Sequence, residues 1–186
     1  MTCIAYHNGV LMADRLSVIH NNNIPIIVDA QKIFLSNKGD LAMGKSSTII
    51  TDEDAQMVMD LARPFIARGD REIPPETFEP VFGKGYKRDC GWAFFIMSKD
   101  YIYTTLNTCA ENIARHNDGI TYPIVDGSGY AFFIIALNNG LSMEEAYAFT
   151  HRHDWRVGTE LDKIIQAELK PIWEKEPEDV TTTDNQ

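Results

Sequence analysis

Met1 and Thr2 open the chain. An initiator methionine is usually trimmed before a residue as small as threonine, which would put the Thr2 hydroxyl and a free α-amine on one residue. An α-amine has a pKa of about 7.7–8.0, so part of it is neutral at cellular pH and can take the proton of the neighbouring hydroxyl, directly or through water. Such a threonine is a nucleophile that carries its own base. Cysteine and histidine chemistry has less to work with. Cys3, Cys90 and Cys109 are odd in number and lack C-x-x-C spacing, which predicts buried thiols rather than a disulfide framework or a cysteine zinc site. Among the five histidines only His151 and His153 lie close together, on different faces if they share a helix, and no metal is expected.

These groups need a scaffold, and the chain is long enough to build one. Its 186 residues, 44% apolar and 24% charged, predict a single domain with a substantial core over residues 1–175. Residues 176–186, charged and then threonine-rich, read as a mobile tail. Seventeen basic against 27 acidic residues leave a net charge of −10, which repels nucleic-acid phosphates and anionic membrane surfaces; neither is an expected partner. The longest apolar run, 130–137, is far shorter than the roughly 18 residues of a membrane span, and no basic segment precedes the apolar residues at the N-terminus. The expectation is a soluble, intracellular protein of the cytoplasm.

Along the chain, TCIAYH and VLMADR flank Asn8-Gly9, a strong hairpin signal. Asn21 to Asn23 loop out before IPIIVDAQKIFLS, which predicts two short strands or one bent one around Pro25. Lys38-Gly39 turns into the short strand LAMG. Apolar residues at helical spacing predict a helix over 52–68, capped by Thr51 or Asp52 and stopped by Gly69. Its Met57, Met59, Phe65 and Ile66 occupy more than one face, more than a single core contact requires. Residues 70–89 read as a surface connection, and GWAFFIMS and YIYTTLN as a second hairpin about Lys99-Asp100. A polar stretch with Asn107, Asn112 and Asn117 leads to the strand YPIVDGSG and a buried helix in GYAFFIIALNNG. Ser142 and Glu145 form a capping box for a further helix to about residue 152. Residues 160–173 fit a helix by spacing but a strand by position, and both stay open.

The segments TCIAYHNGVLMADR, DAQKIF, LAMG and DGSGYAFFIIALNNGLSMEEA, taken in order, resemble the proteasome β-subunit family of N-terminal nucleophile hydrolases. The likeness runs over residues 2–158 and is nearest the short bacterial and bacteriophage members. It implies an α+β fold, a four-layer α/β/β/α sandwich of two mainly antiparallel sheets. It also implies roles: Thr2 as nucleophile, Lys32 as an ammonium lowering the Thr2 pKa, and Asp14 holding Lys32 charged. Gly44 would supply an oxyanion-hole N–H, and Ser128 and Asp154 would orient the Thr2 amine and a bridging water. Ala42, two residues before Gly44, stands where the family lines its first specificity pocket, which suggests apolar or aromatic substrate side chains, while Lys45 reaching in would favour acids. Lys45 and Val157 depart from the family pattern, which has a small residue and a Ser or Thr there, and the segment between Ser128 and Asp154 is short.

The reading that follows is a threonine peptidase without cofactor, acting on peptides or unfolded proteins. The resemblance implies a homo-oligomer of rings or stacked rings and leaves a regulatory ATPase unknown. Two alternatives stay open: a silent structural or interaction protein on the same scaffold, and a small-molecule amidase using the same nucleophile.

Overall fold

The computed structural model describes residues 3–21, 24–46, 50–83, 94–104, 113–116 and 122–172. Thr2, Cys90, Cys109, the three asparagines at 107, 112 and 117, and the tail at 176–186 lie outside them.

The first hairpin forms as its turn residues require. Strands β1 (Cys3–His7) and β2 (Val10–Asp14) pair antiparallel through Asn8 at φ 48° and Gly9 at φ 76°, the doubly left-handed turn whose twist matches paired strands. The flanking runs are almost continuously apolar because both faces of the hairpin are covered. Ile4, Tyr6, Leu11 and Ala13 pack with Ile33, Ala42, Phe95 and Met97 of a second sheet, while Cys3, Ala5 and Met12 pack with residues of two helices. Strand β11 (Ile124–Gly127) flanks β1 and β12 (Leu161–Ile165) flanks β2, giving the order β11-β1-β2-β12.

The second sheet, of six strands, runs β5-β6-β8-β9-β10-β7. It comprises β5 (Ile33–Leu35), β6 (Leu41–Lys45), β7 (Glu72–Ile73), β8 (Phe94–Ser98), β9 (Ile102–Thr104) and β10 (Ile113–Arg115). Its other face carries α1 (Asp52–Ala67), capped by Thr51, whose side chain accepts from Asp54 N. Ala55, Val58, Met59, Ala62 and Ile66 of α1 pack on Leu41, Met43, Ile96 and Tyr103. Strands β3 (Leu16–Asn21) and β4 (Ile24–Asp29) form a separate hairpin, and IPIIVDAQKIFLS splits into the two strands β4 and β5, which lie in different sheets.

Three expectations need correction, and one open alternative is decided. Residues 72–82 are not a plain surface connection: a short strand, a 3-10 turn at 75–78 and α2 (Glu79–Phe82) bury Ile73 and Phe78 completely, because their side chains close the α1 core. The helix after the Gly-Ser-Gly turn, α3 (Tyr130–Asn138), buries only part of its surface, with Tyr130 and Ile135 about half exposed. Met59 and Ile66 are absorbed by the core of the chain itself, leaving Met57 as the exposed large apolar side chain of α1. Of the two readings open after residue 160, the strand holds over β12, and a 3-10 turn at Gln166–Glu168 follows it. In β12 Leu161 turns to the helices and Ile164 to the other sheet, and the free edge of β2 gives the strand a hydrogen-bonding partner. Helix α4 (Met143–His153) has the expected capping box. Among the described residues no helix is long and apolar enough to cross a membrane.

Candidate active site

The open end of the β1–β2 hairpin holds a buried carboxylate with a full set of donors. Asp14, the last residue of β2, is 0% exposed. It accepts from Cys3 N at 2.6 Å, Lys32 Nζ at 3.0 Å, Gly158 N at 3.0 Å and Leu16 N at 3.1 Å. Lys32, buried just before β5, also donates to Leu16 O. Burial pushes its pKa down and the Asp14 carboxylate pulls it back, with a net position below the ordinary lysine value. Arg15 ties this region together, pairing with Asp29 at 2.9 Å and Asp162 at 3.3 Å.

Cys3 is fully buried, and its thiol is pushed far above the ordinary range by burial and by the nearby Asp14 charge, so it is poorly suited to act as a thiolate. Its carbonyl accepts from the buried Tyr147 hydroxyl at 3.1 Å, which also donates to Met12 O at 2.6 Å. Gly44, paired with Ile33 and Phe95, faces β1 so closely that a Cβ would stand 2.4 Å from Ile4 Cδ1. Its lack of a side chain thus serves the approach of the two sheets beside the start of β1.

Ser128 and Asp154 lie on the helix side of the same strand end. A Cβ on Gly129 would come within 2.6 Å of Thr150 Cγ2, 2.9 Å of Val157 Cγ2 and 3.2 Å of Cys3 Cβ, so this glycine lets the turn before α3 sit directly on β1. The Ser128 Oγ is buried without a hydrogen-bond partner among the described residues. Asp154 accepts from Arg156 N at 3.1 Å, Nε at 2.6 Å and Nη2 at 3.0 Å. Burial pushes its carboxyl up, but the Arg156 bonds, with a smaller effect of nearby Ser128, outweigh this and hold it below the usual value. Val157 is fully buried against Gly129.

The structure therefore brings Asp14 and Lys32 into contact and sets Gly44, Ser128 and Asp154 around the same end of β1. Ala42 is fully buried between the sheets. Lys45 lies on the β6 face opposite Gly44, with its Nζ 5.8 Å from the Phe82 ring centroid. Burial lowers its pKa to about 8, opposed by Asp54. Gly158, Tyr147 and the hydrogen bond from Ser46 Oγ to Asp126 Oδ2 were not anticipated. Only Asp126 carried a signal, as an acid immediately before the Gly-Ser-Gly turn.

Several antiparallel sheets together with α-helices give the chain a mixed α/β architecture that solved structures share. It has an HslV-like fold. A crystal structure of eukaryotic HslV from Trypanosoma brucei is similar with a TM-score of 0.56 over 88% of this chain and 97% of that one, at 14% identity. A helical assembly of the Anbu complex from Pseudomonas aeruginosa is similar with a TM-score of 0.56 over 91% and 83%, at 16% identity. No family model and no curated protein sequence matches, and at these identities the likeness is one of fold.

Proposed function

We propose that this chain is a threonine-type peptidase of the N-terminal nucleophile class, built as a four-layer α/β/β/α sandwich, with Thr2 as its nucleophile once Met1 is removed. The observation that carries the reading is the buried Lys32–Asp14 pair, whose carboxylate also binds the backbone N–H of Cys3, the residue after Thr2. A cation held there without freedom to move away can favour the alkoxide of a neighbouring hydroxyl.

In this mechanism the Thr2 amine takes the hydroxyl proton and Oγ attacks the scissile carbonyl. The resulting oxyanion is held by the Gly44 N–H. Collapse expels the amine of the leaving peptide, which takes the proton back, and leaves an ester on Thr2. Water, deprotonated by the same amine, hydrolyses the ester. Lys32 supplies the positive field, Asp14 fixes Lys32, and Ser128 with Asp154 orients the amine. No step uses a metal or organic cofactor.

The substrates are peptides or unfolded proteins, and the chain assembles with copies of itself, as the Anbu complex does in its helical assembly. Val157, which brings a buried methyl group where the resembled family has a hydroxyl, favours the second reading, a silent scaffold. Intact mass and turnover separate the two. A chain lacking Met1 whose fluorogenic-peptide hydrolysis disappears in Thr2→Ala supports the peptidase; a retained Met1, or a fully active Thr2→Ala, ends it.

A further inference from the structure

We infer that Asp126 is a specificity-determining residue of this site and selects a positively charged substrate side chain, lysine or arginine, next to the cut bond. The inference rests on the peptidase reading and adds its substrate class.

Strand β11 alternates its side chains. Ile124 packs between the sheets and Val125 toward the helices, so Asp126 returns to the inter-sheet side, in register with Ile4 of β1. It stands at the end of that inter-sheet core where Cys3 begins the strand, and its charge acts on Cys3. From the other sheet, Ser46, two residues beyond Gly44, donates its hydroxyl to Asp126 Oδ2. The hydrogen bond thereby ties the carboxylate to the second sheet, next to both the strand start that follows the proposed nucleophile and the segment proposed to hold the oxyanion.

Among the described residues no cation answers the charge of Asp126. Asp14 is paired with Lys32, Asp29 and Asp162 with Arg15, Asp40 with Arg63, and Asp154 with Arg156. Among the described residues Asp126 has only the Ser46 hydroxyl, and it is partly exposed. Nearby cations are committed elsewhere: Lys32 to Asp14 and Leu16 O, and Lys45 to the opposite face of β6. A half-buried carboxylate of this kind gains most from an incoming ammonium or guanidinium that also hydrogen-bonds it. This reverses the acid preference that Lys45 alone suggested.

The test uses matched fluorogenic peptides that differ only in arginine, norleucine or glutamate before the cut bond. Wild-type protein should cleave the arginine peptide with a kcat/KM about tenfold or more above the norleucine peptide, the effect of one charge-assisted hydrogen bond. Asp126→Asn should remove that ratio while turnover of the norleucine peptide stays within about twofold, and Lys45→Ala should leave the ratio unchanged. A wild-type ratio near one overturns the inference without recourse to any variant. So does an Asp126→Asn loss equal for all three peptides with a displaced pH midpoint, which would make Asp126 a group acting on the amine. Anisotropy binding of uncleaved arginine and norleucine peptides to Thr2→Ala separates the two proposals. An arginine preference in binding with no turnover in wild type defeats the peptidase and keeps the cation site, whereas turnover without any arginine preference does the reverse.

Discussion

Lys32→Met keeps the aliphatic stem and removes the ammonium from a pocket where Asp14 is 0% exposed. Removing one partner of a buried pair typically costs about 3–5 kcal/mol, because the remaining charge is left uncompensated. Here three backbone N–H groups, from Cys3, Gly158 and Leu16, still bond the carboxylate, which places the cost at the low end, about 3 kcal/mol. For a domain of this size each kcal/mol moves the melting temperature by about 2–4 °C, so a fall of about 6–12 °C is expected by calorimetry. Turnover should fall at least about 10²-fold, the scale of losing one fixed electrostatic contact to a developing oxyanion. Lys32→Arg should not restore it, since the guanidinium is broader and spreads its charge over a plane. The pH dependence has a definite sign. Burial lowers the folded-state pKa of Lys32, so between that value and about 10.4 the unfolded chain binds more protons than the folded one, and wild-type stability relative to Lys32→Met rises with pH through that window. A Lys32→Met protein that melts within about 2 °C of wild type and turns over substrate normally would refute both the buried-pair reasoning and the place of Lys32 in the mechanism.

Two further outcomes can be checked directly. Gly44→Ala forces a Cβ to within 2.4 Å of Ile4 Cδ1 and should destabilise by about 1–3 kcal/mol in denaturant melts. Ile4→Val, which removes that Cδ1 atom, should cost less in the Gly44→Ala background than in wild type, and strict additivity would show that the two side chains do not meet. In light scattering at micromolar concentration the protein should run as a defined multimer; a clean monomer would remove self-assembly from the proposal.

Much of the scaffold could be read from local rules. Asn8-Gly9, the Thr51 and Ser142 caps and the periodic apolar residues of α1 each act within a few residues, so their consequences are visible in order along the chain. The order of Asp14, Lys32, Gly44, Ser128 and Asp154 was legible too, although only as a pattern. Tertiary structure decided what the pattern touches. Of the two readings open for the stretch after residue 160, the strand prevailed across Leu161–Ile165 because β2 offered an unpaired edge and both faces of β12 found apolar partners, while Gln166–Glu168 turn as a 3-10 helix and Leu169 follows it. Lys45 follows Gly44 directly, yet the pleat turns the two to opposite faces. Gly158 lies 144 residues from Asp14 and Asp126 lies 80 from Ser46. No local preference encodes such meetings, because they depend on which strand edges pair and on how closely glycine lets two sheets approach.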